Sequence, residues 1–330
     1  MQTVIVLGTH NSGSGLIHEY LSCRSDFSSP FGHNEFKICS DPGGLNYLYN
    51  SAYNNPGFFN TSFAVSNFLY YLKNLQNAKE YKNEKIKVYL YKKNLLIEAK
   101  KFLNKITDVQ YFAIPHYKRI NLSTFEKIQL KINKKIFSKN LPEIKLNSII
   151  LFQDKEKFIK EANIFINKIL ISNIQKNQIR RNIVLNNAGD ILNPIETTKY
   201  YSKPKIIVVS RDPRDIFASM KSRESLATPW YNVDIFINWY KKCFERNTYL
   251  KQQNSKIINL KFENILKNFE KENSKICKFL SIKERVKMEK KNYFNFDIAT
   301  SKKNIGKYKI FLNKNEIKKI EKQLKKFLSY

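Results

Sequence analysis

Residues that can bind an anion are concentrated at residues 8–15, which read GTHNSGSG. This segment lies between an apolar run and a helical pattern, so backbone N–H groups and a helix N-terminus can face one anion. Gly8 and Gly13 have the spacing of the phosphate-binding loop that takes nucleotides with Mg²⁺. That loop continues with Lys and Ser or Thr, where this chain has Ser14 and Gly15. The pattern therefore predicts phosphate binding without a metal, although an ordinary tight turn between strand and helix has similar glycines.

A second candidate anion site lies where a buried strand at residues 205–210 ends at Arg211. A helix is predicted at 216–223, and Ser219 lies within it, eight residues after Arg211. A guanidinium and a hydroxyl at the carboxyl edge of a parallel sheet can bind one phosphate. The alternative is a local turn in which Arg211 and Arg214 pair with the neighbouring aspartates.

The elements that must position these groups are three strands, predicted at the apolar runs 4–7, 205–210 and 256–262. Loops and helices follow them, which predicts an α/β fold with a parallel sheet between two helical layers. Residues from about 60 to 180 are rich in Lys and Asn and have mostly helical periodicity. We interpret this region as a large helical insertion in a single domain of residues 1–330.

The composition is that of a globular protein, with 42% hydrophobic residues and a formal net charge of +31. The charge favours an anionic partner, although codon usage in an AT-rich genome produces the same excess of Lys. No zinc-finger, RNP or basic-helix signature is present, so we expect no nucleic-acid partner. The four cysteines and four histidines have no metal-binding spacing. We therefore predict no metal site.

The start of the chain leads directly into an apolar run, at residues 3–7, that is too short for a signal peptide or a membrane span. Later segments are also too short or too charged to cross a membrane. We expect a cytoplasmic protein of a bacterial cell without a transmembrane segment.

Taken in order, these segments resemble the sulfotransferases that use 3'-phosphoadenosine 5'-phosphosulfate (PAPS). Residues 8–14 resemble the family's 5'-phosphosulfate loop, and residues 206–219 resemble its 3'-phosphate motif. Residues 261–266 are similar to a Tyr-Glu-Asp-Leu segment of the family, and residues 301–309 resemble its late basic loop. The resemblance implies a P-loop-like fold, PAPS as the cofactor and no metal. It does not cover the insertion at about 60–180.

The resemblance also assigns the nucleotide contacts, which are His10, Asn11, Ser12, Gly13, Ser14, Gly15, Arg211, Ser219, Lys302, Lys303 and Gly306. At Asn11 the chain departs from the family, which usually has Lys or Arg there to steady the leaving phosphate. His10, Lys37 or Lys302 can compensate for this difference. The alternative is a slow or inactive member that still binds the nucleotide.

A catalytic base is expected soon after the first helix, at Glu35, because the carbohydrate and tyrosyl-protein branches of the family have a Glu there. Those branches have a basic residue two positions later, which Lys37 matches. A surface Glu–Lys pair is the alternative interpretation. His116 is the second candidate base, since the small-molecule branch uses a His, and His33 is the third.

The acceptor implied by this comparison is a hydroxyl of a glycan or glycolipid. The aromatic residues that could stack on its sugar rings are Tyr47, Tyr49, Tyr53, Phe58 and Phe59, although core packing is the commoner use of such side chains. A peripheral membrane contact stays open. An unrelated function, as a basic protein that binds nucleic acid or a membrane surface, is the third hypothesis.

Overall fold

A computed structural model describes residues 1–83, 86–89, 91, 94–114, 116, 120–136, 147–224, 227–245, 255–289 and 296–330. The chain divides into two compact units, one formed by Met1–Ser40 with Ile166–Tyr330 and the other by Asp41–Phe165. In the sequence, the second unit interrupts the first. Its bounds differ from the insertion predicted at about 60–180, and the single domain of residues 1–330 stays a prediction.

The strands, in chain order, are β1 (Gln2–Gly8), β2 (Phe27–Ser28), β3 (Lys79–Asn83), β4 (Ile86–Tyr89), β5 (Val109–Ala113), β6 (Asn147–Leu151), β7 (Asn182–Asn186), β8 (Pro204–Ser210) and β9 (Ile257–Lys261). The helices are α1 (Ser14–Cys23), α2 (Leu45–Tyr53), α3 (Phe58–Asn77), α4 (Leu95–Ile106), α5 (Thr124–Ile136), α6 (Lys155–Ser172), α7 (Pro194–Thr198), α8 (Pro213–Arg223), α9 (Val233–Glu245), α10 (Phe262–Lys267), α11 (Phe269–Leu280), α12 (Ile298–Lys302), α13 (Tyr308–Phe311) and α14 (Lys314–Leu324). Short 3₁₀ turns lie at Lys176–Gln178 and Lys325–Phe327.

The first unit is built on a five-stranded parallel sheet in the order β2-β7-β1-β8-β9. Its central strand β1 is apolar throughout its middle, and residues 4–7 are at most 1% exposed. Val4 and Val6 pack in a cluster that includes Ile17 of α1 and Ile265 of α10. The alternate residues Ile5 and Leu7 are equally buried, so helices and loops cover both faces of the sheet. The predicted α/β fold with a parallel sheet flanked by helices is confirmed.

The carboxyl ends of the three central strands lie at one edge of this sheet. In the strand register, Gly8 of β1 lies beside Val209 of β8, and Ser210 lies beside Lys261 of β9. The β1–α1 loop, the β8–α8 turn and the start of α10 therefore meet at that edge. Ligands of open α/β sheets bind at this position.

The second unit has helices α2 to α5 and two antiparallel strand pairs, β3 with β4 and β5 with β6. The helical periodicity of the insertion did not indicate these pairs. The core contains stacked and edge-to-face rings, with Phe102 lying 5.4 Å from Phe158 and 5.5 Å from Phe165. Tyr49 and Tyr53 also pack on Phe158, at 5.5 and 5.7 Å between ring centroids. Both tyrosines therefore serve core packing.

Candidate active site

The β1–α1 loop has a backbone suited to holding an anion. Asn11 and Gly13 have left-handed φ angles of 61° and 88°, which glycine and asparagine tolerate better than other residues. A Cβ atom at Gly13 would lie 2.2 Å from the Phe262 ring, so only glycine fits there. The Ser12 N–H donates to the Thr9 carbonyl at 3.1 Å and closes the loop.

Arg211 connects this loop to two other segments. Its guanidinium donates to the Asn11 carbonyl at 2.9 Å, to the Ser219 hydroxyl at 3.2 Å and to the Asn304 carbonyl at 2.5 Å. The ring of Phe262 lies 5.2 Å from the guanidinium carbon. The structure therefore brings together the first loop, the Arg211–Ser219 pair and the late basic loop.

The charge of Arg211 is buried without a directly paired carboxylate in the part of the chain that the structure describes. The residue is 5% exposed, and its Nε–H has no hydrogen-bond partner there. Burial lowers the pKa of the guanidinium, and the charge of nearby Asp215 opposes that shift. A buried charge without a partner is costly. An anion bound at this position would relieve that cost.

Arg214 has the opposite environment, although it is equally buried. It donates to Asp212 at 2.9 Å and to Glu321 at 2.8 Å. Burial alone would lower the pKa of Arg214, but the hydrogen bonds and charge of Asp212 raise it above its ordinary value. The alternative interpretation of this turn was that both arginines pair with neighbouring aspartates. Among the described contacts, Arg214 has such a pair and Arg211 does not.

The late loop is fixed to the same edge by Asp215. Its carboxylate accepts from the backbone N–H groups of Gly306 at 2.9 Å and Tyr308 at 3.0 Å. The Tyr330 hydroxyl donates to the same carboxylate, and it accepts from the Gly306 N–H at 2.9 Å. Gly306 therefore lies beside helix α8, and its predicted contact with the nucleotide stays a prediction.

Two further cations that the sequence analysis did not single out lie at this edge. The Arg223 guanidinium donates to the Asn11 side-chain oxygen at 3.0 Å. Lys307 donates to the Ser222 hydroxyl at 3.1 Å, and its pKa is lowered by burial and by the charges of Arg223 and Arg211. Helical spacing could have indicated Arg223, because it follows Ser219 by four residues on α8.

The remaining predicted nucleotide contacts differ in burial. Ser14 begins helix α1 and is buried, whereas His10, Gly15, Lys302 and Lys303 are exposed. Lys303 lies near Asp297, whose carboxyl pKa is lowered chiefly by Thr300. Among the described contacts, the cation that meets the Asn11 side chain is Arg223, and Arg211 meets its backbone carbonyl. His10, Lys37 and Lys302 were expected to compensate for the uncharged Asn11, but no contact described for them involves Asn11.

Hydrogen bonds of the Asn187 side chain link Glu35 to Gly8, at the start of the β1–α1 loop. Asn187, which follows β7, donates from its amide to the Glu35 carboxylate at 2.6 Å. Its side-chain oxygen accepts from the Gly8 N–H at 3.2 Å. The Glu35 backbone also forms a parallel β-bridge with Asn186. The Lys37 Nζ lies 3.3 Å from the second carboxylate oxygen of Glu35. Asn187 was not indicated by the sequence, because this contact joins residues 152 positions apart.

The two histidine candidates have different surroundings. The His33 ring nitrogen lies 3.6 Å from the Glu19 carboxylate, and burial lowers the pKa of His33. His116 is exposed and belongs to the second unit. Residues 115 and 117–119 beside it lie outside the described residues.

The described residues contain no group of three or more His, Cys, Asp and Glu side chains that could hold a metal. Within the same residues, no helix has both the length and the apolar character needed to cross a membrane.

Residues 192–285 match the sequence model of the Sulfotransferase family. The matched region contains β8, β9 and the helices between them, and so includes Arg211, Ser219 and Arg223. The first loop at residues 8–15 and the late loop at residues 301–309 lie outside the match.

Three solved structures have similar chains. The sulfotransferase domain of the Synechococcus PCC 7002 olefin synthase is 12% identical, with 91% of this chain and 79% of that chain covered and a TM-score of 0.38. The sulfotransferase domain from the curacin biosynthetic pathway is 12% identical, with 98% and 97% covered and a TM-score of 0.41. Retinol dehydratase, in complex with androsterone and inactive cofactor PAP, is 13% identical, with 99% and 80% covered and a TM-score of 0.34. Similarities this low carry no argument about the acceptor. No curated protein sequence matches the chain significantly.

Proposed function

We propose that this protein is a sulfotransferase that moves a sulfuryl group from PAPS to a hydroxyl of a carbohydrate or glycolipid acceptor. The observation that carries the proposal is Arg211, a buried guanidinium without a described carboxylate partner. It contacts both the first loop and the late loop, which are the segments expected to hold the two ends of the nucleotide. The Glu35–Lys37 pair supports a carbohydrate acceptor through its resemblance to that branch of the family.

The polar groups around the loop fit a nucleotide with several phosphate oxygens. Thr9 Oγ1, Ser12 Oγ and Arg211 Nε are buried and have no hydrogen-bond partner among the described residues. All three can donate, and phosphate oxygens accept. The N-terminus of α1 adds partial positive charge without a metal ion.

In the proposed mechanism, the loop at residues 9–13 holds the 5' end of the nucleotide, and Arg211 with Ser219 holds its 3'-phosphate. When bound, PAPS supplies the sulfuryl group on an activated phosphate. Glu35 accepts the proton of the acceptor hydroxyl while the hydroxyl oxygen forms its bond to sulfur. The bond between sulfur and the phosphate oxygen breaks at the same time, and 3'-phosphoadenosine 5'-phosphate leaves. Asn187 orients the Glu35 carboxylate by donating to one of its oxygens, and Lys37 lies 3.3 Å from the other.

Asn11 gives a specific reason to consider a second function, a nucleotide-binding protein with slow or no turnover, since its side chain has no charge. The position of Arg223, 3.0 Å from the Asn11 side-chain oxygen, favours an active enzyme instead. We infer that Arg223 supplies from helix α8 the charge that the loop residue lacks.

Nucleotide binding gives a direct test of the proposed function. We expect 3'-phosphoadenosine 5'-phosphate to raise the melting temperature without added Mg²⁺. At a hundredfold excess over Kd, binding to the folded state adds about 2.7 kcal/mol to the free energy of unfolding. The measurement is a thermal-shift titration in EDTA. Stronger stabilisation by ATP with Mg²⁺ would contradict the proposal.

Replacing Arg223 tests where the loop obtains its charge. We expect Arg223→Gln to weaken PAPS binding about tenfold, because an exposed charged hydrogen bond contributes at the lower end of the usual range. Adding Asn11→Lys to this variant should restore much of the affinity, as measured by calorimetry. Lys318→Gln is the control, since it removes an exposed lysine of α14 that has no described contact with the loop. An equal loss in the control would mean that only the general positive field matters.

A further inference from the structure

Helix α5 presents an apolar stripe to solvent. Phe125, Ile128 and Ile132 follow the spacing i, i+3 and i+7, and they are 73%, 51% and 49% exposed. Residues at this spacing share one face of a helix, and in a globular protein that face is usually buried against the core. These side chains are among the 12 large exposed apolar residues of Asp41–Phe165, against nine in the rest of the described chain.

Lysines accompany this stripe. Lys127 and Lys131 are exposed and lie outside it at helical spacing, and the sequence of the helix adds Lys134 and Lys135. The helix has one acidic residue, Glu126. The helix therefore combines an apolar stripe with an excess of positive charge, as helices do that lie in the interface of a lipid bilayer.

The start of the helix is defined by a capping box, which makes Glu126 part of the helix terminus. The Ser123 N–H donates to the Glu126 carboxylate at 2.7 Å, and the Glu126 N–H donates to the Ser123 hydroxyl at 3.3 Å. These reciprocal bonds favour a helix in this segment independently of packing. The carboxylate is occupied at the N-terminus, which leaves the lysines to set the charge of the polar face.

We propose that α5 docks on the surface of an anionic lipid bilayer, with Phe125, Ile128 and Ile132 inserted below the headgroups. Charge complementarity favours this partner, because lysines beside the stripe would meet lipid phosphates. The apolar stripe favours it over a nucleic acid, whose backbone offers no apolar phase. The proposal is independent of the proposed sulfuryl transfer.

The test is sedimentation of the full-length protein with vesicles. We expect binding to vesicles of phosphatidylglycerol with phosphatidylcholine, weakened by added salt, and little binding to phosphatidylcholine alone. Phe125→Ser with Ile128→Ser and Ile132→Ser should abolish binding. Lys127→Gln with Lys131→Gln should weaken it about thirtyfold, from the usual contribution of each basic residue near an anionic surface.

The matched control is Phe59→Ser with Phe63→Ser, which removes exposed aromatic side chains from α3 in the same unit, where lysines do not flank them. This control should bind as the parent does. Circular dichroism and urea unfolding of each variant would separate lost binding from lost folding. Equal binding to neutral vesicles, unchanged binding of the folded α5 stripe variant, or equal loss in the α3 control would overturn the proposal.

Discussion

Arg211→Ala is expected to weaken binding of 3'-phosphoadenosine 5'-phosphate tenfold to a hundredfold, whereas Arg214→Ala is expected to act on stability. A charge-assisted contact with a phosphate is worth about 1.5–3 kcal/mol. Arg211 donates to two backbone carbonyls and a hydroxyl, and it has no carboxylate partner among the described residues. Its removal therefore leaves no opposite charge buried alone.

Arg214→Ala differs because it would leave the carboxylate of Asp212, which is fully buried, without its main cation. Breaking a buried ion pair by removing one partner costs about 3–5 kcal/mol. The free-energy cost should be smaller here, since Asp212 also accepts from the Ser329 N–H at 3.0 Å and keeps that hydrogen bond. We expect a clear fall in the free energy of unfolding, with nucleotide affinity of the folded fraction close to that of the parent.

The two variants are compared by calorimetric titration with the nucleotide and by urea unfolding without it. Each protein serves as the control for the other, because the two arginines lie on one turn and are similarly buried. Equal losses of affinity would mean that the 3'-phosphate does not bind at Arg211. A large loss of stability confined to Arg211→Ala would assign the structural role to that residue instead.

The sheet could be predicted from sequence where its strands are long apolar runs. Residues 4–7 and 206–209 are buried on both faces of the sheet, so their side chains are continuously hydrophobic and the pattern is unambiguous. The helix predicted at 216–223 is present as α8 but begins three residues earlier, at Pro213, because Asp212 caps it by accepting from the Arg214 N–H and Pro213 suits the first turn.

Short or polar strands were not predictable in the same way. Strand β7 has only three apolar residues, between Asn182 and Asn186, which is too few to distinguish a strand from a loop. Strand β3 reads KEYKN, and its pairing with β4 depends on a neighbour rather than on its own composition.

Contacts between distant segments form the rest of the candidate site, and no local pattern encodes them. Asn187 joins Gly8 to Glu35, and Tyr330 holds Gly306, across separations of up to 179 residues. Arg223 approaches Asn11 from 212 residues away. The sequence predicted which loops would meet because parallel strands end at one edge. It could not predict which side chains would fill the space between them.

The second large effect is expected at Glu35. Glu35→Gln should retain nucleotide affinity and lose about 10²–10⁴-fold in turnover, the usual contribution of a general base. Gln has nearly the same shape, and its side-chain oxygen can still accept from Asn187, which donates to Glu35 at 2.6 Å. The Glu35 side chain is 45% exposed, so losing its contact with Lys37 should change stability little. The amide has no basic oxygen to take the proton of the acceptor.

Turnover is measured as transfer of labelled sulfate from PAPS into a glycan extract of the producing organism, with nucleotide binding measured on the same preparations. His116→Gln is the control, and it should leave turnover nearly unchanged. Full activity of Glu35→Gln together with an inactive His116→Gln would assign the base to His116 and bring the enzyme closer to the small-molecule branch. If the parent binds PAPS but transfers nothing, the uncharged Asn11 becomes the explanation, and Asn11→Lys should then create measurable transfer.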